Sequence, residues 1–475
     1  MQYKWVVLTV TAVGTLMSGI DLRVVTIGLP TIATALKADL ETVLWATQAY
    51  QFVVTIGLLV VGRLTDMFGR VRIYNLGFAI FTVGSALCGF SQNGEQLIFF
   101  RLIQGTGAAM LVANSIALIT DATPLTELGF AIGINQILFR VGSVLGLTLG
   151  GALIQLVGWQ FVFYMNIPIG IFGTLWAYAR LKEISRPVNH ESFDARGFLA
   201  FAVSLTSLLL AVTYATINPA YLPFALALGA VSVVSFIFFL FQERRASDPL
   251  LDFRLFSDKL FAAGNVSLLL MALAMGSLML ITSLYLQIVR GYDALDAGLM
   301  FLPMEMTFGL VGPVSGRLSD RYGSRGLTTT GLAILGGALL LFSGISNVAS
   351  YWQIATVLSL VGVGLGLFAA PNMSSMMRSA PAERRGVAAA VRSTIFNSGT
   401  VISISLVAAL LVTELPYQTA SAMLSGTLAT ISTADQVGFL NGIRKALLVS
   451  AVLSFAGIVP SAMGGSEKYT HINNK

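Results

Sequence analysis

The chain has 475 residues, of which 56% are hydrophobic and 11% are charged, with a formal net charge of +6. Soluble domains carry about 25% charged residues, so this composition is typical of a protein that dissolves in lipid. A single cysteine, Cys88, excludes an intramolecular disulfide. The two histidines lie in polar segments, and no P-loop motif (GxxxxGKS or GxxxxGKT) is present, so we expect no metal, cofactor or nucleotide site.

Apolar stretches of about 20 residues, the length that crosses a bilayer, follow one another along the chain. The first follows Lys4 directly and lacks a small-residue cleavage site, so we expect a membrane helix and not a signal peptide. The predicted fold class is an all-α membrane protein with about 14 spans. These predicted spans are 5–29, 42–61, 73–93, 95–120, 128–154, 160–180, 197–215, 221–241, 261–287, 295–315, 326–346, 351–376, 386–412 and 440–463.

The distribution of Lys and Arg predicts the orientation of the chain, because cytoplasmic loops carry an excess of both. If the N-terminus is cytoplasmic, about twenty Lys and Arg fall in cytoplasmic segments. The outside segments then hold only Lys37, Arg290, Arg444 and Lys445. Both termini are therefore predicted to be cytoplasmic, which requires an even number of spans. The positive net charge follows from this topology, so we expect no nucleic-acid partner.

A loop motif occurs twice, as GRLTDMFGR at Gly62–Arg70 and as GRLSDRYGS at Gly316–Ser324. The first copy follows the second predicted span and the second copy follows the tenth. When spans seven and eight are set aside, each copy follows the second helix of a six-helix set. Two related six-helix halves with a substrate site at their interface are a common transporter architecture. We therefore predict an N-terminal half (1–185), a two-helix insertion with its linkers (186–255) and a C-terminal half (256–475).

The chemistry of the repeated loop suggests a cytoplasmic gate. Its glycine lets two helix ends approach closely, and its aspartate lies just before the next helix, where an N-terminus favours a carboxylate. The following arginine offers a partner on the same side. A basic surface turn is the alternative interpretation, but two copies in register disfavour it. The predicted gate residues are Gly62, Asp66, Arg70, Gly316, Asp320 and Arg325.

Several strings beyond the repeat carry a family resemblance. They are RLIQGTGAA (Arg101–Ala109), GSVLGLTLGG (Gly142–Gly151), IDLRVVTIGLP (Ile20–Pro30), WQFVFYMNIPIG (Trp159–Gly170) and YLQIVRGYDALDAGLMFLP (Tyr285–Pro303). In their order and spacing the chain resembles the major facilitator superfamily, and more narrowly its fourteen-helix drug:proton antiporter branch. It departs from the branch pattern at Leu147, where proline is usual, at Arg23 and Thr26, where threonine and asparagine are usual, and at Leu128, where arginine is usual.

The resemblance implies a proton-coupled secondary transporter, an antiporter that exports lipophilic or amphipathic drugs by alternating access. Its partners would be a small-molecule substrate, protons and the lipid bilayer of the cytoplasmic (inner) cell membrane, and the family expectation is a monomer. An exporter or symporter of an anionic metabolite, peptide or siderophore is the alternative. A membrane receptor or scaffold is disfavoured because no loop is long enough for a soluble domain. An enzyme is disfavoured because the sequence shows no nucleophile–base pair or metal cluster.

Two acidic residues lie well inside predicted spans, Asp21 in the first and Glu305 in the tenth. A charged side chain at the centre of the bilayer costs about 2.5–3.5 kcal/mol on insertion scales and is a functional candidate by default. Burial favours the protonated form of a carboxylate and a nearby cation favours the ionised form. The resemblance gives Asp21 and Arg101 a role in proton coupling. We predict that Asp21, Arg101 and Glu305 couple protons; a structural pair, or a cap for Glu305, is the alternative.

Arginines and uncharged polar side chains inside the spans are candidates for the substrate cavity. Arg140 and Arg392 lie on corresponding helices of the two predicted halves and would together favour a substrate with an anionic group. Arg23 either lines the cavity or extends outward to the membrane surface. Helix-bridging roles are the alternative for the whole set. The predicted cavity residues are Arg23, Thr26, Gln48, Gln51, Asn114, Gln136, Arg140, Asn265, Arg392 and Asn397.

A row of glycines on the fifth predicted span resembles the antiporter motif of the family. Its members are Gly142, Gly146, Gly150 and Gly151. The four-residue spacing places the first three on roughly one helix face. Such a face allows close packing or a bend, and in an antiporter a tight fifth helix would resist a proton leak.

Overall fold

The computed structural model describes residues 2–464 except 39, 185–193, 218, 246–252, 277, 293, 347–348, 382–383, 416–418 and 420–432. The predicted boundary between 185 and 186 lies outside the described residues. So do several predicted site side chains whose backbone is helical. The predicted site residues concerned are Arg23, Thr26, Gln48, Asp66 and Gly151. The side chain of Leu147, which departs from the family pattern, also lies outside the described part.

Helices account for nearly all of the described chain. They are α1 (Tyr3–Ala35), α2 (Leu40–Phe68), α3 (Arg70–Gly89), α4 (Gly94–Ala122), α5 (Leu128–Leu156), α6 (Phe161–Tyr164), α7 (Asn166–Arg180), α8 (Ala195–Ile217), α9 (Leu222–Arg245), α10 (Lys259–Met275), α11 (Leu278–Leu284), α12 (Ala294–Leu299), α13 (Leu302–Tyr322), α14 (Arg325–Ser343), α15 (Tyr351–Ser379), α16 (Arg385–Val412) and α17 (Thr433–Met463). Short helical turns occupy Pro219–Tyr221, Phe253–Ser257 and Tyr285–Val289.

Eleven helices of the described chain are long and apolar enough to cross a membrane, and two shorter apolar helices cover Ala49–Leu58 and Lys259–Met275. The number of fourteen spans therefore stays a prediction. Three predicted spans are interrupted helices. The sixth begins with the short α6 before α7, the ninth continues from α10 into α11, and the tenth consists of α12 and α13. Pro168 and Pro303 lie in the first turns of α7 and α13, where the missing N–H of proline costs no helical hydrogen bond.

The N-terminal and C-terminal helices each contain a buried apolar cluster of their own, and a further buried cluster contains residues of both. One cluster joins α1–α4 and α7 and includes Phe78 and Phe81, which are fully buried. Another joins α10–α17 and includes Leu335 and Leu358, also fully buried. Each group of helices therefore has a core of its own, and the contacts between the groups form a separate interface.

The two helices between these groups form a hairpin. Ser204 on α8 donates to the carbonyl of Ser232 on α9 at 3.0 Å, and Ser232 donates to the carbonyl of Ser204 at 2.8 Å. The outer face of α9 exposes consecutive apolar side chains, including Phe236, Ile237 and Phe238. An apolar face of this kind is expected where a helix contacts lipid.

The spaced glycines of α5 lie against α1. A Cβ added at Gly146 or Gly150 would fall under 3.0 Å from atoms of Ile20 or Val24, and one at Gly142 would meet the backbone of Leu16 in the same way. Only a residue without a side chain permits this approach of the two helices. The close packing fixes the face of α1 that adjoins Asp21.

Two seams join the helix groups at the end of the bundle that holds Tyr3, Met463 and both repeated loops, which we call the loop end. In the first seam α5 crosses α13, where a Cβ at Gly133 would lie 2.7 Å from the Cα of Pro313. In the second seam α2 crosses α16, where a Cβ at Gly62 would lie 2.6 Å from the Cβ of Ala390. The loop end of the bundle is therefore closed.

Candidate functional site

Asp21 is the centre of a buried polar network in the N-terminal helices. Its side chain is fully buried and accepts three hydrogen bonds. Arg101 Nη1 donates to Oδ2 at 2.8 Å and Gln104 Nε2 donates to Oδ1 at 2.8 Å. Asn166 Nδ2 donates to Oδ1 at 3.1 Å. The carboxylate therefore binds one cation and two amides, which belong to α4 and α7.

The partners of Asp21 are themselves fixed by neighbouring groups. Arg101 also donates to Gln104 Oε1 at 2.6 Å, and its guanidinium lies 4.1 Å from the ring centroid of Tyr50. Gln104 donates to Ser85 Oγ at 2.8 Å. The network thus reaches four helices besides α1. A proton that binds Asp21 would neutralise the carboxylate and leave the charge of Arg101 uncompensated. The contacts that join these helices to α1 would then change.

The sequence indicated Asp21 and Arg101 as partners, but it did not indicate the amides. Gln104 lies one helical turn after Arg101, on the face that neighbours it. Asn166 opens α7 within the string WQFVFYMNIPIG, so both amides were present in quoted motifs. A search for uncharged polar side chains one turn away from a buried arginine would have found Gln104. Nothing in the local pattern connects Asn166 to Asp21.

Glu305 lies apart from the Asp21 network. It belongs to the first turn of α13, and its Oε1 accepts from Arg140 Nη1 of α5 at 3.0 Å. The guanidinium of Arg140 also stacks on Phe308, 4.5 Å from the ring centroid. Glu305 Oε2 is buried without a hydrogen-bond partner. The pair therefore joins the two helix groups across the first seam.

Asp320 of the second repeated loop caps a helix of the other group. The backbone N–H groups of Gly129 and Phe130 donate to its two oxygens at 2.9 and 3.1 Å, and Arg378 forms an ion pair with it. We expected Asp320 to precede and cap the next helix, α14. It lies instead inside α13, and it reaches the start of α5 because the seam brings that N-terminus to it. The predicted partner, Arg325, is exposed at the start of α14.

Arg70 of the first repeated loop also binds a partner outside its own loop. It forms an ion pair with Asp121 at the end of α4, and Arg385 at the start of α16 lies 3.4 Å from the same carboxylate. The N-terminus of α3 is capped by Glu183, which accepts from the N–H groups of Arg70 and Val71 at 2.9 and 3.0 Å. A carboxylate at the loop end thus connects the two helix groups in each seam, Asp320 through backbone N–H groups of α5 and Asp121 through Arg385.

Loss of the Asp320 cap is expected to open the loop end. In Asp320→Ala, α5 loses its cap and Arg378 loses a counter-ion, so cysteine labelling at Gln136→Cys from the loop end should rise by about tenfold, as expected for a seam contact of about 1.4 kcal/mol. Asp258→Ala is the matched control, because Asp258 caps α10 within one helix group through Leu260 and Phe261. Equal labelling in the two variants would contradict a role of Asp320 in closure.

The remaining predicted cavity residues differ in their surroundings. Asn114 and Asn265 are buried and donate to carbonyls of their own helices, Met110 at 2.8 Å and Phe261 at 3.0 Å. Gln51, Gln136 and Asn397 are half-buried. Arg392 has a buried Nε without a partner, and its guanidinium forms no ion pair within the described part of the chain.

Comparison with known proteins shows which family has this architecture. The sequence profile described as Major Facilitator Superfamily matches residues 11–404. The riboflavin transporter RibZ of Clostridioides difficile (strain 630) is 30% identical over 420 residues, covering 88% of this chain and 90% of RibZ. The methylenomycin A resistance protein of Bacillus subtilis (strain 168) is 32% identical over 403 residues, covering 84% of this chain and 86% of the resistance protein. The multidrug resistance protein Stp of Mycobacterium tuberculosis (strain CDC 1551 / Oshkosh) is 30% identical over 415 residues, covering 85% and 75%.

Solved structures share the fold at low sequence identity. The human organic anion transporter MFSD10 (TETRAN) superposes with a TM-score of 0.67 at 16% identity, covering 96% of this chain and 99% of that protein. The proton:xylose symporter XylE superposes with a TM-score of 0.63 at 12% identity, covering 96% and 94%. Together with the family profile, these matches show that the chain belongs to the Major Facilitator Superfamily. It is a multi-pass membrane transporter of small molecules and not an enzyme.

Proposed function

We propose that this transporter is a proton-coupled antiporter that exports lipophilic or amphipathic compounds across the cytoplasmic membrane by alternating access. The observation that carries the proposal is the Asp21–Arg101 pair, held at 2.8 Å in a fully buried network. A membrane-buried carboxylate with a cation beside it can exist ionised and paired or protonated and neutral. That choice between two states is what a proton-driven cycle requires.

The two seams support alternating access as the mode of transport. With both termini in the cytoplasm, the loop end is the cytoplasmic end, and its closure corresponds to a state that opens outward. Two carboxylates hold this end across the helix groups: Asp320 accepts from backbone N–H groups of α5, and Asp121 pairs with Arg385 of α16. Contacts of this kind can break and re-form during a cycle, whereas the apolar cores of the two groups stay intact.

The energy available from protons is adequate for export. One proton that enters through about 100 mV releases about 2.3 kcal/mol. A gradient of about one pH unit adds about 1.4 kcal/mol. Their sum supports a substrate gradient of about 500-fold for an exchange of one proton per molecule.

The relatives support small organic molecules as the substrates but do not identify a particular compound. Their names include resistance to methylenomycin A, multidrug resistance and riboflavin transport. We further propose that the chain belongs to the fourteen-helix branch, with fourteen spans, six-helix halves at 1–185 and 256–475, the insertion 186–255 between them, and a monomeric state.

Proton release from the purified transporter tests this function. Compounds from a chemically diverse panel are added to weakly buffered detergent-solubilised protein while the pH is recorded. We expect a subset of compounds to release protons, and the same compounds to be exported from vesicles only while a pH gradient exists. Export that continues at the same rate after the proton gradient is collapsed would contradict the proposal.

A further inference from the structure

The charges inside the membrane are unequal in number. Well inside the predicted spans lie two carboxylates, Asp21 and Glu305, and four arginines, Arg23, Arg101, Arg140 and Arg392. Each carboxylate is already bound by an arginine, at 2.8 Å for Asp21–Arg101 and at 3.0 Å for Glu305–Arg140. An organic cation entering between the helix groups would therefore find both intramembrane carboxylates occupied.

The Arg140–Glu305 pair lies where a substrate would pass between the helix groups. Arg140 is seven residues beyond Gly133, so it lies about 10 Å along α5 from the tight crossing with α13. The side chain of Arg140 is 24% exposed and that of Glu305 is 8% exposed, so the pair borders open space from a largely buried position. Stacking on Phe308 holds the guanidinium over the carboxylate.

The second seam carries uncharged side chains at the positions where the first seam carries the Arg140–Glu305 pair. Gly316 meets Gly129 in the first seam, and Gly62 meets Gly386 in the second. Glu305 precedes Gly316 by the same number of residues as Gln51 precedes Gly62. Arg140 likewise follows Gly129 by the same number as Asn397 follows Gly386. The counterpart of the ion pair in the second seam is thus a glutamine and an asparagine.

The same register shows which residues correspond to Arg140 and Arg392. Arg140 and Arg392 lie on corresponding helices, but Arg392 corresponds in register to Asn135, and Arg140 corresponds to Asn397. Asn135 faces Thr15 of α1, to which it donates at 2.9 Å. Arg392 has no carboxylate to neutralise it within the described chain. It supplies a positive charge that a substrate anion can pair with.

We propose that the substrates of this transporter are amphipathic organic anions, and that Arg140 excludes lipophilic cations by keeping Glu305 neutralised. The inference rests on the proposed export function and narrows its substrate class. An unpaired charge in a low-dielectric site is strongly disfavoured, so a bound cation needs a free carboxylate and a bound anion needs a free cation. The described site offers a free cation, Arg392, whereas both of its carboxylates are already bound by arginines.

Fluorescein and rhodamine 123 share a xanthene ring system and carry opposite charge at neutral pH, which makes them a matched pair of probes. In vesicles containing the wild-type protein, we expect fluorescein to be exported at least about tenfold faster than rhodamine 123, which corresponds to about 1.4 kcal/mol of discrimination. Rhodamine 123 export at an equal or higher rate would overturn the proposal without any variant being needed.

Removal of Arg140 should confer cation transport. Arg140→Met leaves the Glu305 carboxylate available to a cationic substrate, so rhodamine 123 export is expected to rise by about tenfold. Arg140→Lys keeps a cation beside Glu305 and should behave as the wild type. The double variant Arg140→Met/Glu305→Gln has no free carboxylate and should lose the gain. A gain that persists in the double variant, or no gain in a folded Arg140→Met protein, would overturn the role of Arg140.

Arg392 provides the complementary measurement. Arg392→Gln is expected to lower fluorescein export by about tenfold and to leave the weak rhodamine 123 signal unchanged. Arg72→Gln, at an exposed position of α3, is the matched control and should change neither rate. Equal loss of both dyes in Arg392→Gln would overturn the assignment. If rhodamine 123 proves to be the exported dye and its export still depends on protons, only the substrate inference fails. If no dye or panel compound is exchanged for protons, the proposed function fails as well.

Discussion

Asp21→Asn is expected to abolish proton-driven export, lowering it by at least about a hundredfold. Asparagine has nearly the same shape as aspartate, and its one carbonyl oxygen can still accept from Arg101 or from Gln104, but it cannot bind or release a proton in the working range. Exchange of labelled for unlabelled substrate, which needs no net proton movement, should continue. The combination of lost driven export and retained exchange distinguishes a coupling residue from a structural one.

The measurement uses inside-out vesicles with an imposed pH gradient and follows both driven transport and exchange. Glu95→Gln is the matched control, because Glu95 is an exposed carboxylate in the first turn of α4 and lies outside the network. Breaking a buried ion pair from one side costs about 3–5 kcal/mol, so the thermal stability of each variant is recorded beside its activity. Proton-driven export at the wild-type rate in Asp21→Asn would refute the assignment of the coupling site.

Gly316→Leu is expected to lower transport by at least about tenfold, because the side chain cannot fit in the first seam. A Cβ at Gly316 would already lie 2.5 Å from the carbonyl carbon of Gly129 and 3.0 Å from the nitrogen of Phe130. Leucine would force α5 and α13 apart and remove the two N–H donors from Asp320. The transporter would then be unable to close its loop end, and each cycle would stop with the substrate site open on that side.

Gly337→Leu is the control for this substitution, since nothing lies within 4 Å of a Cβ added at that helical glycine. It should transport within about twofold of the wild type. Labelling of Gln136→Cys from the loop end separates failure to close from failure to fold, because only a folded, open protein is labelled faster than the wild type. A Gly316→Leu protein with normal transport would show that the close crossing is dispensable.

The local patterns of the sequence were sufficient to predict where the helices lie, but not where a helix is interrupted. Each predicted span coincides with a helix or a pair of short helices, because about 20 apolar residues can satisfy their backbone in lipid only by forming a helix. The breaks between α6 and α7 and between α10 and α11 were not predicted. They fall within continuous apolar runs, where hydropathy carries no signal for a change of helix direction.

The sequence predicted both buried carboxylates and the two arginines that bind them, because an ionisable side chain in an apolar span is rare and costly. It did not predict which arginine binds which carboxylate in the case of Glu305. Arg140 is far from Glu305 in the chain, and the pair exists only because α5 crosses α13. The same limit applies to Asp320, whose acceptor role depends on the N-terminus of α5 and on Arg378.

The repeated loop shows most clearly which features follow from the sequence alone and which depend on the tertiary structure. The sequence by itself predicted two related sets of helices, a glycine and an aspartate near the end of each second helix, and charged side chains within the membrane at Asp21 and Arg101. These features depend on composition and spacing within single segments. Only the tertiary structure decided that each loop glycine packs on the fifth helix of the other set, and that the ion pair Arg140–Glu305 occupies one seam while amides occupy the other. Such pairings depend on how helices distant in the chain cross, and no local pattern specifies that crossing.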